Sequence, residues 1–144
     1  MGFALGTTPN ILFPWSKEYQ VGISFVDIQH KQLVDIINRL YQGMVAGKGR
    51  QEVGKALEEL ILYAKAHFTA EEKVLQSCRY PEFPALHVEN ERLTYAILEF
   101  HQKLMSNQLG LTDSVMGFLK DWLGEHIQNV DTNCIPFLKD NGVM

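Results

Sequence analysis

Residues 63–75 read "YAKAHFTAEEKVL". Apolar and aromatic residues at Tyr63, Ala66, Ala70 and Leu75 give the stretch the look of a helix. His67 and Glu71 stand four residues apart within it, one above the other on a single helix face. A buried carboxylate is costly unless it is paired or bound to metal. The pair therefore marks either a solvated surface or a coordinating interior. His-x3-Glu alone is common on helix surfaces, so the rest of the chain has to decide.

The chain has 144 residues, 46% of them hydrophobic and 21% charged, enough apolar material for one ordinary domain with one core. A formal net charge of −4 argues against nucleic acid or an anionic membrane as partner, since both call for a basic patch. No window approaches the roughly 18–20 uninterrupted apolar residues of a membrane span. The opening "MGFALGTTPNILFPW" lacks a basic segment before its apolar residues, so it is a poor signal peptide. Cys78 and Cys134 are too few for a disulfide framework and read as reduced thiols of a cytoplasmic protein.

Helix breakers divide the chain. Pro9, Pro14 and Gly22 mark an irregular arm over residues 1–22. Ser24 is placed to cap a first helix, with Asp27 reaching back, and that helix ends near glycines 43–49. A second helix covers about Gln51 to Cys78 and is followed by a loop, "RYPEFP". A third runs from about Ala85 to Asn107, and Thr112 or Asp113 starts a fourth carrying "VMGFLKDWLGEHIQNV". Pro136 and "DNG" close the chain irregularly, which puts the bundle at residues 23–138 and a tail at 139–144. Four amphipathic helices joined by short loops predict an all-α, antiparallel up-down-up-down four-helix bundle, whose interior can build a metal site.

One histidine falls on each helix: His30 early in the first, His67 late in the second, His87 early in the third and His126 late in the fourth. In an antiparallel bundle these positions meet at one level. Carboxylates follow at Glu71, Glu91 and Asp131. The five-residue step from His126 to Asp131 overshoots one turn by about 140°, so it needs a frayed or tightened helix end. His101 lies fourteen residues beyond His87, about 21 Å along the same helix, and is left out. Imidazole and carboxylate without thiolate suit iron, manganese or zinc. Seven ligands exceed one tetrahedral zinc and fit two metal ions bridged by carboxylates.

The motifs "PWSKEYQVGISFVDIQHKQLVDIIN", "HFTAEEKVL", "RYP" and "WLGEHIQNVD" resemble those of the hemerythrins, in particular the bacterial single-domain kind, from Trp15 to about Leu138. The resemblance implies an antiparallel four-helix bundle holding two iron ions with a bridging oxo or hydroxo group, with dioxygen as the partner molecule. By motif match, His30, His67 and His126 look like histidine ligands, and Glu71 and Asp131 like the bridging carboxylates. Leu33, Phe68, Trp122, Leu123 and Ile127 match apolar positions around the family's oxygen site.

The third helix departs from the family, whose usual pattern there is His-x3-His. An ungapped match would put Leu86 and Asn90 at the two ligand positions. Leucine cannot ligate, and His87 would be displaced around the helix by about 100°. We therefore place an extra residue in the "EFPA" loop and read His87 and Glu91 as the ligand pair, with Asn90 as a weaker replacement. The function that follows is a dioxygen-binding protein for storage, delivery or sensing. The alternative is an oxygen-activating relative that turns over peroxide or ferrous iron at a carboxylate-enriched site. A bundle with a damaged site, kept as an interaction module, is the third reading. A separate reductase or oxygen-consuming enzyme would complete either of the first two.

Overall fold

The computed structural model describes residues 15, 17–106, 113–129 and 133–144. A single turn of 3-10 helix at Lys17–Tyr19 leads into four long helices. These are α1 (Ser24–Val45), α2 (Arg50–Ser77), α3 (Phe83–Met105) and α4 (Asp113–Asn129), followed by a short α5 (Ile135–Asp140). The fold is the all-α up-down-up-down bundle. Helix α1 packs against α2 and α4, and α3 against the same two neighbours.

Each helix buries one stripe. In α3 the stripe is Leu86, Asn90, Leu93, Ile97, Phe100 and Leu104, an alternation of four- and three-residue steps. In α2 it runs through Leu57, Leu60, Ile61, Ala64, His67, Phe68, Glu71 and Leu75, so the histidine and the glutamate stand in the middle of an otherwise apolar face. Ala66 is exposed, one position off that stripe.

Helix ends differ in detail from expectation. Ile23, not Ser24, occupies the cap position of α1, and no side chain caps it there. Asp27 reaches further back: Oδ1 accepts from the Val21 amide at 2.7 Å and Oδ2 from that of Gly22 at 3.1 Å. Helix α1 closes through Gly47 at φ +83°, with the Lys48 amide donating to the Gly43 carbonyl at 3.0 Å. Helix α2 closes in the same way through Arg79, a non-glycine at φ +56°, with the Tyr80 amide donating to Leu75 at 3.0 Å. The expected irregular tail is partly helical. Pro136 sits in the first turn of α5, where its missing N–H leaves no bond unmade, and Ile135 and Leu138 are buried.

The apolar interior forms two clusters. The larger runs along the bundle through Leu33, Ile37, Leu57, Leu60, Phe68, Leu93, Ile97, Trp122, Leu123 and Ile127. The smaller closes one end with Val26, Leu75, Tyr80, Leu86, Cys134, Ile135 and Leu138. Between them, at the boundary on every helix, stands a buried polar residue: His30 on α1, His67 and Glu71 on α2, Asn90 on α3 and His126 on α4.

Candidate metal centre

His30, His67, Glu71 and His126 converge in this polar layer, with one ligand-capable atom of each lying within 4.8 Å of the others. All four are at least 98% buried. His67 Nε2 and His126 Nε2 are 3.0 Å apart. Glu71 Oε2 lies 3.1 Å from His67 Nε2 and 3.5 Å from His30 Nε2, and Oε1 lies 3.4 Å from His126 Nε2.

Protonation follows from this packing. The other ring nitrogen of His67, Nδ1, donates to Gln29 Oε1 at 2.6 Å, because a side-chain amide oxygen only accepts. In the neutral ring that leaves the Nε2 lone pair pointing into the cluster. Burial pushes His126 down to about 4, against the pull of Glu71, so the ring is neutral near pH 7. Burial acts to raise the Glu71 carboxyl, but the His126 and His67 imidazoles packed against it outweigh burial and hold it well below the carboxylate range. The centre thus brings together three imidazoles and one carboxylate, the donor types that bind metal once deprotonated.

Both nitrogens of His30 and both oxygens of Glu71 are buried without a hydrogen-bond partner. A buried charge left in this state is costly, and several orphaned acceptors facing one another repel. A cation at their centre removes both costs at once. The donor set therefore fits a metal ion, and imidazole with carboxylate oxygen suits iron, zinc or manganese.

The third helix does not contribute the two ligands expected of it. His87 and Glu91 stand on the surface, their side chains 48% and 59% exposed. His87 Nδ1 donates to Glu72 Oε1 at 2.6 Å, and that bond holds its imidazole above the ordinary histidine range. Glu91 Oε1 lies 3.6 Å from His87 Nε2. The "EFPA" segment opens the helix instead of forming a loop. Helix α3 begins at Phe83 with Pro84 in its first turn, and Leu86 and Asn90 take the inward positions. The burial stripe is the physical reason. His87 and Glu91 each lie one residue, about 100°, away from it. Asp131 lies outside the described residues. His101 is not part of the group; its Nε2 is 3.8 Å from Glu58.

Gln29 escaped the sequence reading, which admitted Asn90 only as a weaker ligand. Gln29 orients His67. Asn90 is buried with Oδ1 unpartnered, while its Nδ2 donates to Glu72 Oε2 at 3.0 Å. Glu72 is half-buried and grips both His87 and Asn90. The four-three rhythm of Leu86, Leu93, Ile97, Phe100 and Leu104 was the signal that places Asn90 inside. Leu33, Phe68, Trp122, Leu123 and Ile127 are all buried. Phe68 packs on His126 at 4.8 Å between ring centroids, and Trp122 Nε1 donates to the Leu93 carbonyl at 2.9 Å. A cleft of about 420 Å³ between α2 and α3 reaches Phe68 and Asn90 from solvent.

The comparisons agree with this geometry. A model described as the hemerythrin HHE cation-binding domain matches residues 21–138. A bacteriohemerythrin of Methylococcus capsulatus (strain Bath) is 32% identical over 121 residues, covering 83% of this chain and 92% of the relative. One of Pseudomonas aeruginosa is 29% identical over 126 residues, covering 87% and 80%. The crystal structure of a wild-type hemerythrin superposes with a TM-score of 0.78 at 31% identity, covering 88% of this chain and 98% of that one. Taken with the bundle and its buried histidine–carboxylate cluster, these matches establish that the chain belongs to the hemerythrin family.

Proposed function

We propose that this protein holds iron inside the bundle through His30, His67, Glu71 and His126, with Asp131 joining as the motif match implies, and that it binds dioxygen there. The observation that carries the reading is the set of three imidazoles and one carboxylate buried together, with both nitrogens of His30 and both oxygens of Glu71 satisfied by no hydrogen bond. Bound ferrous iron supplies the electron density that dioxygen, a poor ligand for any protein side chain, requires. The chain's own residues do the rest. Gln29 fixes the His67 tautomer, so its Nε2 lone pair faces inward without reorganisation on binding. Phe68, Leu33, Trp122, Leu123 and Ile127 keep the surroundings apolar, which excludes water and disfavours escape of a charged reduced product. The cleft over Phe68 offers small molecules an approach from solvent.

The test is the visible spectrum of the iron-loaded, reduced protein under argon, then in air, then again under argon. A dioxygen-dependent band that disappears when the gas is removed is the expected result. Iron-loaded protein whose spectrum is indifferent to dioxygen overturns the proposal.

A further inference from the structure

We infer that the cluster in this chain holds a single metal ion rather than the pair anticipated from its sequence. The inference deepens the proposed function and rests on it, because both need His30, His67, Glu71 and His126 to be ligands.

The first argument is the size of the donor cage. Nitrogen and oxygen ligands sit about 2.0–2.2 Å from a first-row ion, so donors sharing one ion stand roughly 2.8–3.6 Å apart at adjacent positions. Four of the separations here, 3.0, 3.1, 3.4 and 3.5 Å, fall within that range, in a cluster whose ligand atoms lie within 4.8 Å of one another. Two ions in a shared site stand about 3.5–4 Å from each other. Glu71 does direct one oxygen toward His126 and the other toward His30 and His67, as a bridging carboxylate would. Yet His67 Nε2 and His126 Nε2 are only 3.0 Å apart, closer than the ions they would separately have to bind. One ion between them uses both lone pairs without moving either ring.

The second argument is the composition of the fourth wall. A second ion needs donors of its own, and in a four-helix interior they come from the facing helix. Helix α3 faces inward with Leu86, Asn90, Leu93, Ile97, Phe100 and Leu104, which include neither an imidazole nor a carboxylate. Asn90 stands at the height of the cluster, between Leu86 of the end cluster and Leu93 of the main one. It brings a neutral amide oxygen that adds no charge. Next to Leu86 and Asn90, His87 and Glu91 pair with each other at the surface, and His87 also pairs with Glu72.

The experiment is anaerobic reconstitution of the full chain with excess ferrous iron, desalting, total-metal analysis, and electron paramagnetic resonance after oxidation. About one metal ion per chain is expected, with a half-integer-spin ferric signal that accounts for all the iron. Leu86→His combined with Asn90→His supplies α3 with two imidazoles. It should double the iron content and silence the oxidised signal by spin coupling. Two irons per native chain with a silent oxidised state overturns the single-ion inference and leaves the iron-binding proposal standing. No more metal in native protein than in His67→Ala overturns both. Should the double variant fail to fold, the native stoichiometry and spin count decide alone.

Discussion

Gln29 touches His67 by the nitrogen that faces away from the cluster, and so acts on the centre without belonging to it. Partners of this kind set ligand orientation and basicity, and their loss costs about 10- to 100-fold in metal affinity. Gln29→Leu keeps the bulk and removes the acceptor. Its affinity should fall by that factor in competition titrations against a chelator, while Gln29→Glu, a stronger acceptor, recovers binding. An unchanged affinity in Gln29→Leu would show that packing alone orients the ring. His87 and Glu91 make the opposite case. Both are exposed and pair with each other, and His87 pairs with Glu72 as well. His87→Ala and Glu91→Ala should retain the full native metal content by elemental analysis. A drop in either variant would return that residue to the ligand set.

At the scale of elements, the start of α1 depends on one side chain. Asp27 takes two backbone amides ahead of the helix, at Val21 and Gly22, and its negative charge lies in the first turn, where the helix dipole favours it. Asp27→Ala should cost about 0.5–2 kcal/mol, the range for lost N-terminal caps, read as a lower denaturant midpoint at constant slope. A midpoint within error of native would mean that the buried Ile23 and Val26 hold this end unaided. Much of the element level was legible in the chain. Breakers and apolar spacing placed all four helices within about two residues at the ends that are described, and His30, His67, Glu71 and His126 were singled out before any coordinates. What failed was the register of α3. Histidine at position 87 drew the reading toward ligand chemistry, whereas burial followed the rhythm set by Leu86 and Leu93. Hydrophobic periodicity outweighs residue identity here because a one-residue slip would expose the whole apolar row. Gln29 was not legible, since a half-exposed glutamine becomes meaningful only once its distance to His67 is known.

Over the whole molecule, the centre joins segments far apart in sequence, from His30 to His126. An ion that binds only the folded form stabilises it by about 2.7 kcal/mol at a free concentration one hundred times the dissociation constant. For a chain of this length that corresponds to a rise of roughly 5–10 °C in melting temperature. Scanning calorimetry of chelated and iron-loaded protein should show it. A shift of less than a degree under saturating metal would mean that the cluster is not the binding site.

The blank fourth wall has a consequence for how the bundle breathes. A metal ion fastened to α1, α2 and α4 resists any opening that parts those helices. Helix α3 is joined to α4 by the Trp122–Leu93 hydrogen bond and the 2.8 Å Arg92–Glu125 ion pair, and to α2 by the bonds of His87 and Asn90 to Glu72 and of Arg50 to the Leu104 carbonyl. None of these bonds uses a ligand residue, so α3 can part from the bundle while the ion stays bound. Amide deuterium uptake should slow at least tenfold on metal loading in peptides from α1, α2 and α4, about 1.4 kcal/mol of added protection. Peptides spanning Leu86–Leu104 should exchange at nearly the same rate in both forms. Equal slowing across all four helices would mean that α3 is coupled to the ion after all. On this picture the opening of α3, which forms one wall of the cleft over Phe68, widens the approach that the cleft already offers to a small molecule.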